Sequence, residues 1–180
     1  RDRLYRDPAT NEYLPNLATS YNWVDSKTLE FDLRKGVTFH NGEKFDADDV
    51  VYTLTYISNP ENGAKPARNV NWWDSAEKLG DYKVRLNLTK EFPAALEFLS
   101  GPIVMYPNEY YAEVGPEGMA IKPVGTGPYA VTSVEPGKRY KFKKNDNYHA
   151  SSPKGQANIG NIVIRTIAES NTQLAELFSG

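Results

Sequence analysis

Few residues in this sequence carry nucleophilic or metal-binding chemistry, and their spacing decides what they can do. Cysteine is absent, which removes disulfides, thiolate metal sites and cysteine nucleophiles together. His40 and His149 are the two histidines. No H-E-x-x-H or comparable spacing surrounds them, so a metal site would need added carboxylates, and each reads as a turn or surface residue. Asp46, Asp48 and Asp49 form an acidic cluster. A calcium loop would need a mid-loop glycine and a closing glutamate, both missing, whereas helix capping accounts for the acids directly. Ser75-x-x-Lys78 and Ser151-x-x-Lys154 match a serine–lysine acylase pattern. Its S-D-N and K-T-G companions are missing, and Pro153 spoils the helix the second match requires. The run Gly125-Thr-Gly127-Pro-Tyr-Ala130 loosely fits a dinucleotide fingerprint. Pro128 and a β-prone stretch stand where a helix N-terminus would have to meet a pyrophosphate. No set of nucleophile, base and orienting group can be assembled, and none of these patterns implies a metal or cofactor.

Trp72-Trp73 offers binding rather than catalysis. Adjacent residues of a strand point to opposite faces, so one indole is expected in the core and its neighbour free to stack on a ligand. The plainer alternative is that both are packing residues. Asn71, Trp72, Trp73 and Met105 are the candidate ligand-binding positions.

The elements that would position these residues follow from periodicity. Residues 17–24 read as a strand, and Thr28 to Leu33 alternates Leu29, Phe31 and Leu33 against Thr28, Glu30 and Asp32, so the two form a hairpin. Asn41-Gly42 marks a tight turn. Asp46 caps a helix that Asn59-Pro60 ends, with Val50, Leu54 and Ile57 at helical spacing. A loop rich in Pro, Gly and Asn covers 58–71. Lys83 to Leu88 alternates again, a short helix runs from about Pro93 to Leu99, and Ile103 to Tyr106 reads as an apolar strand. Helical turns follow over 108–114. A hairpin over 129–143 turns at Pro136-Gly137, a last strand spans 162–167, and a helix opens at Asn171 with Leu174, Leu177 and Phe178 on one face. The expected class is mixed α/β with much antiparallel sheet.

Composition narrows the partners. With 39% hydrophobic and 24% charged residues the chain reads as globular. Its net charge of −2 is interspersed, so neither a nucleic-acid backbone nor anionic lipid finds a basic stripe. Twelve Tyr, three Trp and seven Phe are enough to build a core and line a ligand cleft. The apolar runs are too short to span a bilayer, and the first residues do not form an export signal. The last helix breaks off without a cap, as expected of a cut chain.

Four stretches resemble the family 5 extracellular solute-binding proteins, the peptide and nickel receptors of ABC importers. They are Leu17-Ala-Thr-Ser-Tyr21, then Thr28 through Leu33-Arg-Lys-Gly-Val-Thr-Phe-His-Asn-Gly42, then Phe45-Asp-Ala-Asp-Asp-Val50 with Tyr52, and Pro123-Val-Gly-Thr-Gly-Pro-Tyr129 with Lys144-Asn145 and Tyr148. Tyr21 stands where the family usually has Trp, and His149 where a Trp often follows the Tyr. The resemblance implies a periplasmic-binding-protein-like fold (type II, cluster C) and a fragment of its first lobe. Residues 1–120 would be mostly the accessory subdomain and 121–180 the return into that lobe, cut before the second lobe at the closing F-x-x-G. It further implies a periplasmic or membrane-anchored extracellular protein that captures peptides or similar small solutes and hands them to an ABC permease. The competing readings are a small hydrolase-type enzyme using a Ser/Lys or His site, and a structural interaction domain.

Overall fold

The computed structural model describes residues 4–63 and 66–179. Ala64 and Lys65 of the expected loop, and Gly180 of the closing F-x-x-G, lie outside them. Two short strands that the periodicity does not announce, Leu4–Arg6 (β1) and Tyr13–Pro15 (β2), pair antiparallel at the start. The main sheet holds Ala18–Asp25 (β3), Thr28–Leu33 (β4), Trp73–Gly80 (β5) and Lys83–Leu88 (β6) in the order β3-β4-β6-β5, all neighbours antiparallel. Alternation sorts the faces as expected. Leu29, Phe31 and Leu33 of β4 lie buried beside Val84, Leu86 and Leu88 of β6, which is what period-two residues of paired strands must do. On the other face Glu30 bonds Arg85 at 2.6 Å and Lys83 at 3.0 Å. Hydrogen bonds from Arg85, then Lys83, hold its carboxyl below the usual glutamate value.

Ala47–Ser58 (α1) packs against β5 and β6. It begins where the capping residue requires. Asp46 Oδ1 accepts from Asp48 N–H at 2.8 Å, and Asp49 Oδ2 accepts from Asp46 N–H at 2.9 Å, a reciprocal capping box. After Ala95–Ser100 (α2), residues 102–106 run extended but join no sheet, which corrects the strand expected at 103–106. Proline at 102 and 107 removes two ladder donors. Tyr106 N–H instead donates to Thr53 Oγ1 of α1 at 3.0 Å. Asn108–Ile121 (α3) is broken at Gly115, which sits at φ 64° ahead of Pro116. That is a conformation glycine reaches without strain, and it explains why helical periodicity stopped at 114. Tyr129–Glu135 (β7), Arg139–Lys144 (β8) and Asn161–Arg165 (β9) form a separate antiparallel sheet in that order. Ser170–Ser179 (α4) follows, with Leu177 and Phe178 exposed.

Asp49 joins α1 to α3. It is 2% exposed, and its second oxygen accepts from Asn108 N–H at 2.9 Å. Burial pushes its carboxyl up to about 6, against the two backbone donors that favour the ionised form and with help from nearby Asp46 and Glu43. A carboxyl whose folded value lies above its unfolded value stabilises below the unfolded pKa, and that stability is lost as pH rises through about 6. Asp49→Asn, neutral throughout, should therefore gain on wild type by about 2–3 kcal/mol between pH 4 and pH 7. Urea denaturation of both proteins across that range checks it. A constant difference would mean that Asp49 does not titrate with folding.

Candidate functional site

The two tryptophans are where the structure departs most from the sequence expectation. Trp72 is 2% exposed and Trp73 3%, so neither is available to a ligand. The alternation argument fails because β5 starts only at Trp73, leaving Trp72 outside the pleat. Both rings enter the same apolar core. Trp72 stacks on Phe92 at 4.7 Å, and Trp73 meets Trp72 edge-on at 4.8 Å while donating its Nε1–H to Leu54 O of α1 at 3.3 Å. Trp72 also reaches forward, donating Nε1–H to Asn69 O at 2.9 Å. It thereby fixes the short helical turn Ala67–Asn69 from behind.

That turn does approach the 102–106 segment. Ile57, Pro66, Asn69, Val70 and Val104 line a depression of about 260 Å³ between them. On the other side of the same segment lies a larger open depression of about 530 Å³, lined by Met105, His40, Met119 and residues 123–127. Val104 and Tyr106 line both, so residues 102–106 form a ridge between two hollows. Met105, buried, faces the larger hollow, and Asn71 is exposed but lines neither. Asn69, Val70, Val104 and Tyr106 line these hollows without having been singled out in the sequence. One signal was present. Ile103 and Met105 are buried while Val104 between them is 37% exposed, the alternation of any extended segment.

The floor of the larger hollow is built by His40. Its Nδ1 accepts from Gly125 N–H at 3.3 Å, which fixes the proton on Nε2, and Nε2–H donates to Gly127 O at 2.9 Å. His40 N–H donates to Gly125 O at 2.8 Å, and Asn145 Nδ2–H reaches Gly127 O at 3.1 Å. With both ring nitrogens engaged, His40 is a brace rather than a general base. The G-T-G turn leads into β7 instead of a helix, so nothing there cradles a phosphate. Ser75 accepts from Asn87 Nδ2–H at 2.9 Å while Lys78 pairs with Asp48 at 2.8 Å. Three residues apart on one strand, they serve opposite faces. The acids are likewise engaged: Asp46 and Asp49 in the cap, Asp48 with Lys78.

The two hollows are concave and partly apolar, with volumes close to those of small-molecule sites. Residues 12–180 match the model described as bacterial extracellular solute-binding proteins, family 5, middle region, and the chain belongs to that family. It is 31% identical over 166 residues to the glutathione-binding protein GsiB of Pectobacterium atrosepticum, covering 91% of this chain and 32% of that protein. To di/tripeptide-binding protein 1 of Pseudomonas aeruginosa it is 27% identical, covering 93% of this chain and 35% of the relative. NikZ from Campylobacter jejuni, solved with Ni(L-His), superposes with a TM-score of 0.86 at 28% identity, covering 99% of this chain and 36% of that one. The chain thus spans about a third of the length of these relatives.

The support role of Trp72 gives a direct expectation. Trp72→Ala should destabilise the fold by about 3–5 kcal/mol, as for other buried aromatics. Trp72→Phe, which keeps a ring but drops the donor to Asn69, should cost less, with about 1 kcal/mol of its loss from that hydrogen bond. Equilibrium denaturation ranks the two. A Trp72→Ala protein as stable as wild type would place the indole outside the core.

Proposed function

We propose that this chain is part of the solute-capturing component of an ABC importer. The protein works outside the cytoplasm, in the periplasm or as a membrane-anchored lipoprotein, and delivers its ligand to the permease. Membership of the family 5 solute-binding proteins carries this reading. Relatives named for binding glutathione and di- or tripeptides favour a peptide or similar small solute. Residues 1–120 are assigned mostly to the accessory subdomain of the first lobe and 121–180 to the return into it. The 102–106 ridge and the 66–70 wall are its ligand-facing parts, with Met105 backing the ridge and Asn71 at the edge of the wall. An enzyme is disfavoured because the Ser/Lys and His motifs are engaged in packing and bracing hydrogen bonds.

A receptor of this kind gains its affinity by enclosing the ligand between two lobes, so one lobe's share of the contacts is not enough. In calorimetry with di- and tripeptides, residues 1–180 alone should bind none tighter than about 10⁻⁴ M. The full-length protein should bind in the micromolar range or better. Val104→Asp, which places a carboxylate on the ridge at a half-exposed position, should weaken that affinity by at least about tenfold, or 1.4 kcal/mol, without lowering the melting temperature. Micromolar binding by the 180 residues alone would refute the two-lobe argument. An unchanged affinity in Val104→Asp would move the ligand away from the ridge.

A further inference from the structure

The outward side of α1 carries another depression, of about 520 Å³, that shares no lining residue with the two hollows beside the ridge. Its working surface is Tyr52, Thr55, Tyr56, Asn59, Asn62 and Asn108. Tyr52 and Tyr56 lie one helical turn apart, and their rings stack with centroids 6.0 Å apart and planes within 21°. Tyr111 meets both edge-on, at 6.1 and 5.0 Å, so the pair is held from behind.

The amides are also oriented. Asn59 Oδ1 accepts from Glu61 N–H at 3.0 Å, and Asn62 Nδ2–H donates to Tyr56 O at 2.8 Å. Each bond spends one end of its amide. It leaves the Asn59 Nδ2 donor and the Asn62 Oδ1 acceptor without a partner among the described residues. The Asn108 amide and the Thr55 hydroxyl have no side-chain partner among the described residues either. The one carboxylate at the rim, Asp48, is tied to Lys78 at 2.8 Å. The groove therefore joins a fixed aromatic pair to several neutral donors and acceptors, with no unpaired charge among the described residues that line it.

We propose that this groove binds a neutral saccharide. The C–H face of a pyranose ring is apolar and slightly positive, and it packs on the negative face of an aromatic ring. Neighbouring sugar hydroxyls, each donor and acceptor, are matched by amides that offer one of each. A peptide fits less well. The main chain of α1 is bonded within the helix, so the groove presents no strand edge for an extended peptide to join, nor a free charge for its termini. A phosphate or other anion finds no cation among the described residues that line the groove.

The test uses the full-length protein with N-acetylglucosamine trimer and maltotriose as probes, followed by calorimetry. At least one should bind saturably, with a dissociation constant on the order of 10⁻³ M. Two variants address the groove: Tyr52→Leu removes one ring of the platform, and Thr55→Lys fills the groove from an exposed helical position where folding is undisturbed. Either should weaken saccharide binding at least about tenfold, with unchanged melting temperature for Thr55→Lys and unchanged peptide affinity. Saccharide binding that survives Thr55→Lys would place the site elsewhere, and no binding of either probe would remove it. Loss of peptide rather than saccharide binding in Thr55→Lys would make the groove a peptide site and overturn the proposal.

Discussion

The main sheet and the β7–β9 sheet share no strand, and a small hydrogen-bonded knot around the imidazole of His40 joins the two sides. The turn after β4 brings His40 to the G-T-G turn ahead of β7, where its main chain and both ring nitrogens bond Gly125 and Gly127. Asn145, just beyond β8, bonds the same Gly127 carbonyl. Three stretches far apart in sequence meet there through backbone groups. The cost of leaving such groups unpaired in a partly buried site is what makes the joint specific. An aliphatic residue at 40 would leave the Gly125 N–H without this partner and the Gly127 carbonyl to Asn145 alone. The joint's residues, His40, Gly125 and Gly127, line the larger hollow opposite the ridge residues Val104 to Tyr106.

Helix α1 organises the other side. Its inward residues Val50 and Leu54 are buried in the core, while Asp49 and Thr53 reach across to the main chain of the ridge and of α3. Thr53 Oγ1 accepts from Tyr106 N–H, and Asp49 accepts from Asn108 N–H. An extended segment between two prolines cannot find ladder partners for all its polar groups, so side chains from the helix supply them. The price of that solution is a carboxylate buried where water would otherwise stabilise its charge, which is why the Asp49 carboxyl is pushed up to about 6.

These devices explain which parts could be read from the sequence. β4 and β6 were legible because each buries one face, so period two is written into residues 28–33 and 83–88. The cap at Asp46 was legible because its chemistry is local. β5 was not: its sequence Trp-Asp-Ser-Ala-Glu-Lys-Leu-Gly places polar residues on both faces of an edge strand, and no alternation survives. β1 and β2, three residues each, are too short to carry a period. The ridge was read as a strand because apolar alternation reports an extended backbone, not the presence of a neighbour to pair with. The expectation of one free indole failed for a related reason, and the plainer alternative, two packing residues, matches their burial. The rule of opposite faces holds only inside a ladder, and the ladder starts at the second indole.

The recognisable motifs and the residues lining the two hollows occupy different positions, and the geometry explains why they can. The motifs supply the His40 turn, the Asp46 cap and the G-T-G turn, all of which act by fixing the backbone. Asn69, Val70, Val104 and Tyr106 belong to none of them. Their two segments are held by their main chains: Asn69 through its carbonyl to the Trp72 indole, Tyr106 through its amide to Thr53. Substituting a side chain on the wall or the ridge leaves those bonds in place. A scaffold built this way can keep its fold while the lining changes, because what fixes the backbone behind the groove is not what a ligand meets in front of it.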